Sequence, residues 1–215
     1  MPAQVQIDFV SDVACPWCAI GFAGLEEALG RTQGVVDAEL RFHPFELNPH
    51  MPPGGENIDA YLGSRHGMSA AQLAATRGTL KARGADVGMH INQDSHSRIY
   101  NTFDAHRLLH WARDSGRQRA LKRALFEANF TAGADVSDHA VLARAAAAAG
   151  LDEAEARQVL ASGEFGEEVR AAEAAWQARG IHSVPAIVIN GQWLISGGQP
   201  PDLFEEALRT IARGS

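Results

Sequence analysis

Cys15 and Cys18 are the only cysteines of the 215-residue chain, and they stand together as Cys15-Pro16-Trp17-Cys18. Two thiols at this spacing suit disulfide exchange, in which one thiolate attacks a disulfide and a second thiol must reach the mixed disulfide that results. The motif follows an apolar run, Val5-Gln6-Ile7-Asp8-Phe9-Val10, and opens a segment carrying Ile20, Phe22, Leu25 and Leu29 at helical spacing up to Gly30. Proline is well placed in a first helical turn. With three-residue spacing there, both sulfurs fall on one side of the helix. Cys15, at or just before the turn, faces the unbonded N–H groups and the positive end of the helix dipole, which favour its thiolate. Cys18, one turn further in, is the expected resolving thiol. Trp17 brings an apolar ring and one N–H donor where a histidine would add positive charge, so the pair is expected to be less oxidising than a strong periplasmic oxidase.

Other residues invite chemistry less strongly. Cys-x-x-Cys is also half of a zinc site, but a closed site needs two more ligands and no other cysteine exists, so no metal is expected. His106 and His110 stand i, i+4 on one helix, a metal-ligand spacing; His106 shares its face with Ile99, Thr102 and Phe103 and reads as a packed, hydrogen-bonded histidine. Asp8 and Asp12 precede the motif and are candidate proton acceptors for Cys18, although strand alternation sets Asp8 opposite Ile7 and Phe9, where it reads as solvent-facing. His182 lies three residues before Pro185 and near enough in sequence to be considered beside the thiols. Val184-Pro185, between a loop and an apolar run, is a plausible cis-peptide site. Trp17 and Pro44-Phe45 offer apolar surface for a peptide, while Trp111, Trp176 and Trp193 read as core.

Strand signals at 5–10 and 38–45 flank the helix that carries the thiols, giving β-α-β before residue 50. From about 56 to 180 helical patterns dominate, at Ile58–Arg65, Ala70–Arg83, Ser97–Asp114, Gln118–Phe130, Asp138–Ala149, Asp152–Ser162 and Phe165–Ala178, with start signals at Ser69 and at Ser137-Asp138. After Gly180 the pattern returns to strands: Val184 to Ile189, the Asn190-Gly191 turn, then Gln192 to Ile195. A helix over Asp202–Arg213 closes the chain. The expectation is one α/β sheet domain formed by residues 1–50 and 180–215, interrupted by a large all-helical insertion over 51–179.

A net charge of −7, from 26 acidic and 19 basic residues, opposes binding to nucleic acid or anionic membranes. The one dense basic stretch, Arg113 to Arg123 with Arg117, Arg119 and Lys122, reads as a solvated helix face. No basic-plus-apolar leader pattern opens the sequence and no segment approaches about 18 uncharged apolar residues. A lone cysteine pair also differs from a secreted disulfide framework, so a cytoplasmic location is expected.

These segments resemble the DsbA family of thioredoxin-fold oxidoreductases and, within it, the FrnE-like cytoplasmic dithiol oxidoreductases. The resemblance rests on Asp8 to Cys18, Pro44-Phe45-Glu46-Leu47-Asn48-Pro49, Asn101 to Arg107, Leu125-Phe126-Glu127-Ala128, Val184-Pro185 and Ile195-Ser196-Gly197-Gly198-Gln199. It implies an α/β, thioredoxin-like core interrupted by a helical domain, Cys15 as nucleophile, Cys18 as resolving thiol and Pro185 as a cis-proline whose preceding residue, Val184, pairs with an extended substrate; Trp17 and Pro16 join that binding rim. Ser183 stands where glycine is expected and Ala186 where an aromatic is common, which bears on the groove's shape. The expected activity is thiol–disulfide exchange or isomerisation on protein, peptide or small-molecule disulfides. No cofactor is expected, glutathione entering at most as a co-substrate, and the chain is read as a monomer or homodimer. Two other readings accompany it: a glutathione-dependent isomerase or kappa-type transferase, which typically relies on a single serine at the first motif position, and a holdase-type chaperone.

Overall fold

The computed structural model of the chain describes residues 1–214. Its sheet has the strand order β2 (Val36–Pro44), β1 (Ala3–Ser11), β5 (Ala186–Ile189), β6 (Trp193–Ser196), with β1 parallel to β2 and antiparallel to β5. Alternation along β1 divides its side chains between two layers. Val5, Ile7 and Phe9 pack against α1 (Pro16–Arg31) and α9 (Pro201–Arg213), burying Ile20, Phe22, Leu25, Phe204 and Leu208. Phe9, Phe22 and Phe42 meet edge to face with ring centroids 5.3 to 5.9 Å apart, the arrangement their ring quadrupoles favour. On the other face Val10 and Ala186 pack with Phe45, Trp176 and Ile181.

Between β2 and β5 the chain is mainly helical: α2 (Ile58–His66), α3 (Ala70–Ala85), α4 (Phe103–Trp111), α5 (Gln118–Phe126), α6 (His139–Ala148), α7 (Glu153–Ser162) and α8 (Gly166–Ala178). The cap signals act as read: Ser69 and Gln72 form a reciprocal capping box, and the Asp138 carboxylate accepts the N–H groups of Ala140 and Val141. Leu108, Leu121, Leu125, Leu142 and Leu160 form a second core, which reaches the thiol loop through Val13. Leu80, Ile91, Phe126 and Phe130 instead join the core beneath the dithiol.

Two expected helices are interrupted. The segment read as one helix over 97–114 begins as strand β4 (Arg98–Ile99), paired antiparallel with β3 (Glu56–Asn57). The Arg98 guanidinium holds that ladder by donating to the carbonyls of Gly54 and Gly55 at 2.8 and 2.7 Å. The helix expected to reach Phe130 gives way after Phe126 to a π-helical turn, Glu127–Thr131, closed by Ala132 N–H donating to the Glu127 carbonyl at 2.9 Å. Trp193, read as core, is 54% exposed, because it lies on the edge strand β6 and lines an open cavity between that strand and Leu203 and Ala207 of α9.

Candidate functional site

Cys15 ends the loop between β1 and α1 in an extended conformation, and its carbonyl accepts the N–H groups of Cys18 and Ala19 at 3.0 and 3.3 Å. No side chain caps α1, and its first turn holds no acidic residue. The positive end of the helix therefore faces the Cys15 sulfur uncompensated. Cys15 keeps 4% exposure while Cys18 has none, so only the first sulfur can meet a disulfide from outside. Both are free thiols. Burial pushes the Cys18 thiol well up; its hydrogen bond to Cys15 and that residue's charge add to this, while the Asp12 main chain and the Lys122 charge oppose it.

Opposite the thiols, the Val184–Pro185 peptide bond is cis, and the Cys15 thiol donates to the Val184 carbonyl at 3.8 Å. Pro185 is buried, Val184 and Trp17 are half-buried, and Pro16 is half-buried on the rim. This loop is held by a close backbone approach. A Cβ on Gly198 would lie 2.7 Å from the Trp17 carbonyl oxygen, and one on Gly21 would lie 3.0 Å from the Gly198 Cα. The Gly197 N–H donates to the Pro185 carbonyl at 2.9 Å. Gly197-Gly198-Gln199 thus brings the β6–α9 connection against α1 at the level of the motif.

The carboxylates have other employment than the one expected. Asp12 is fully buried, its Oδ1 accepting from the Thr102 hydroxyl at 2.7 Å and the Ala14 N–H at 3.1 Å, and its Oδ2 from the Leu47 N–H at 2.7 Å. His106 Nε2 lies 3.5 Å from Asp12 Oδ1, longer than a good hydrogen bond, and has no hydrogen-bond partner among the described residues. Burial pushes the Asp12 carboxyl up, but these donors and His106 prevail and hold it below the usual carboxylate range. Asp12 is thereby an anchor for the thiol loop. Asp8 lies on the sheet face away from α1, as alternation required, but it is 6% exposed rather than solvent-facing. There it accepts from Gln6 at 2.8 Å and pairs with His43 Nε2 at 2.8 Å, and the Trp176 ring packs against His43 at a 55° tilt with centroids 4.8 Å apart. His182 is exposed, His110 stacks on Phe165 with centroids 5.2 Å apart, and Phe45 packs beneath the sheet instead of lining a groove.

Lys122, taken from sequence as part of a solvated basic face, is fully buried. The outward members of that stretch, Arg119 and Arg123, pair with Glu26, whereas Lys122 Nζ rests 4.8 Å from the Phe126 ring centroid with no hydrogen-bond partner among the described residues. A signal for this was present: Gln118, Leu121, Lys122 and Leu125 follow the i, i+3, i+4, i+7 spacing of a buried helix stripe, and all four are buried.

The family described as DSBA-like thioredoxin domain matches residues 6–209. Among solved structures, the probable DsbA oxidoreductase SCO1869 from Streptomyces coelicolor is 34% identical and superposes with a TM-score of 0.88, covering 98% of this chain and 91% of its own. The uncharacterized protein YwbO of Bacillus subtilis (strain 168) is 27% identical over 205 residues, 95% of this chain and 96% of its own. The cytosolic disulfide reductase DsbM from Pseudomonas aeruginosa, in its structure with GSH, shares the fold at a TM-score of 0.64 and 20% identity, covering 97% of this chain and 99% of its own.

Proposed function

Because the chain belongs to the DSBA-like thioredoxin domain family, we propose that it is a thiol–disulfide oxidoreductase that exchanges or isomerises disulfides of proteins, peptides or small thiols through Cys15 and Cys18. The observation that carries this reading is the Cys15 sulfur 3.8 Å from the Val184 carbonyl at the start of α1, with Cys18 wholly buried one turn behind it.

In the proposed cycle the Cys15 thiolate attacks one sulfur of a substrate disulfide, forming a mixed disulfide and releasing the other sulfur as a thiolate that takes a proton from water. Cys18, once deprotonated, attacks the Cys15 sulfur. The Cys15–Cys18 disulfide forms and the remaining substrate sulfur leaves as a second thiol, so the substrate gains two electrons. Two glutathione thiols would return the dithiol by the reverse steps, leaving as glutathione disulfide. Isomerisation follows when a second substrate thiol attacks the mixed disulfide before Cys18 does. Val184, Pro185, Trp17 and Pro16 line the approach to Cys15 and are assigned to hold the substrate segment. The solved DsbM structure with GSH, on the same fold, supports glutathione as the small thiol and a cytosolic setting.

The test is catalysed reduction of insulin by glutathione. Activity is expected in the native protein, none in Cys15→Ser, and an accumulating mixed disulfide detectable by mass in Cys18→Ser. Full activity in Cys15→Ser would reject the mechanism.

A further inference from the structure

A fully buried lysine is rare unless it is paired, and among the described residues the Lys122 ammonium has no hydrogen-bond partner. It reaches from α5 over the Phe126 ring, which meets Phe22 with centroids 6.0 Å apart. Phe22 stands one turn of α1 beyond Cys18, and all of these rings share one buried cluster with Cys15 and Cys18. The π-helical turn that follows Phe126 fixes the same wall, since Asn129 Nδ2 donates to the Val13 carbonyl in the thiol loop at 2.9 Å.

The titratable groups that act on Lys122 are Cys18, Asp12 and Cys15, all from α1 or the loop before it. Asp12 has both oxygens engaged by Thr102, Ala14 and Leu47 and faces His106 besides. Asp12 thus already has three donors on its oxygens, whereas the factors that favour the Cys18 thiolate are the Asp12 main chain and the Lys122 charge. We infer that Lys122 is a positioning residue for the resolving step, its ammonium supplying the counter-charge to the Cys18 thiolate as that thiolate attacks the Cys15 mixed disulfide.

Burial pushes the Lys122 ammonium down to about 8, and the charges of Cys18, Asp12 and Cys15 raise it. The Lys122 charge in turn lowers the Cys18 thiol. Each group thus favours the charged form of the other. No bond to Lys122 forms or breaks: Cys18 gives its proton to water, the Cys15–Cys18 bond forms, and the substrate sulfur leaves with the electron pair. This assignment rests on the dithiol reading above, and its test separates the two.

Reduced protein mixed with oxidised glutathione in a stopped-flow fluorimeter should show two tryptophan-fluorescence phases. The first rises linearly with glutathione disulfide and reports Cys15 attack; the second is independent of its concentration and reports Cys18. In Lys122→Met the second phase is expected to slow about tenfold at pH 7 and its pH midpoint to rise by about one unit, with the first phase within about twofold of native. Lys122→Gln serves in the same way should the methionine variant fail to fold. An unchanged second phase, or equal slowing of both, overturns the role of Lys122 alone. A native protein giving no first phase overturns the dithiol reading and this one with it.

Discussion

The Thr102 hydroxyl donates to Asp12 Oδ1 at 2.7 Å across 90 residues of sequence, joining the start of α4 to the loop that presents Cys15. Leu47, just after β2, donates to the other oxygen of the same carboxylate. One buried anion therefore holds three separate segments in register around the thiols. Buried groups of this kind are effective only when every oxygen is satisfied, and here the donors outweigh burial and keep the carboxyl ionised at lower pH than an exposed aspartate.

Asp12→Asn is expected to destabilise the fold by about 3 kcal/mol at pH 7, because an amide NH2 cannot accept from both the Thr102 and Leu47 sides and the charge opposite His106 is lost. The pH dependence has a fixed sign. A carboxyl held below its unfolded value adds stability that is complete above about pH 4 and is lost as pH falls through the lowered value. Urea midpoints of the native protein should drop in acid more steeply than those of Asp12→Asn, the two curves converging. Parallel curves from pH 7 to the acid limit would rule the anchor out.

Arg107 is 3% exposed and donates to the Glu164 carbonyl and the Asp104 carboxylate at 2.7 Å each, to the Leu160 carbonyl at 3.4 Å and to the Val159 carbonyl. It thereby satisfies the last carbonyls of α7 with a planar fork that lysine lacks. Arg107→Lys is expected to lower unfolding free energy by about 3 kcal/mol while the rate of Cys15 alkylation stays near native. A change under about 0.5 kcal/mol, the range of ordinary surface substitutions, would refute the capping role.

What was legible in the sequence was what short-range pattern controls. The 5–10 strand, the helix start at Cys15-Pro16 and the Asn190-Gly191 hairpin are dictated by period, proline and turn chemistry. The thiol pair stood out because its chemistry needs only four consecutive residues. Long-range charge placement was hidden. Asp12 finds Thr102 and Leu47, and Lys122 finds the thiol wall, through contacts that exist only after folding; a count of basic residues assigned Lys122 to the surface although its helical spacing set it inside. The Arg98–Ile99 strand was concealed for the same reason, its ladder being held by the Gly54 and Gly55 carbonyls. Asp8 shows a half-success: alternation chose its face, but not that α8 would cover that face with Trp176.

Two glycines of similar appearance should respond oppositely to alanine. At Gly198 the new Cβ would sit 2.7 Å from the Trp17 carbonyl oxygen, a backbone atom of the motif itself. Gly198→Ala is expected to cost about 1–3 kcal/mol and to slow Cys15 attack by shifting the β6–α9 connection against α1. Gly30, in the last turn of α1, meets nothing within 4 Å, so Gly30→Ala should gain about 0.5–1 kcal/mol from helix propensity. Urea melts of both variants check the pair; a Gly198→Ala protein as stable and as reactive as native would show that the close approach relaxes freely.

Lys122 also sets a stability expectation that runs against ordinary intuition about removing a side chain. Its ammonium is buried without a hydrogen-bond partner among the described residues, and burial pushes it down to about 8 from an unfolded value of about 10.4. The folded state therefore binds the proton less readily than the unfolded chain. The resulting penalty is about 3 kcal/mol below pH 8 and shrinks as pH climbs from about 8 towards 10.4. Methionine has similar length, no charge and a sulfur suited to the Phe126 ring. Lys122→Met should thus be more stable than native at pH 7, the margin narrowing by pH 10, as read from urea unfolding at both values. A variant less stable than native at pH 7, or a margin that widens with pH, would mean that the lysine is matched by a charge in the folded protein and is not the unpaired cation beside the thiols.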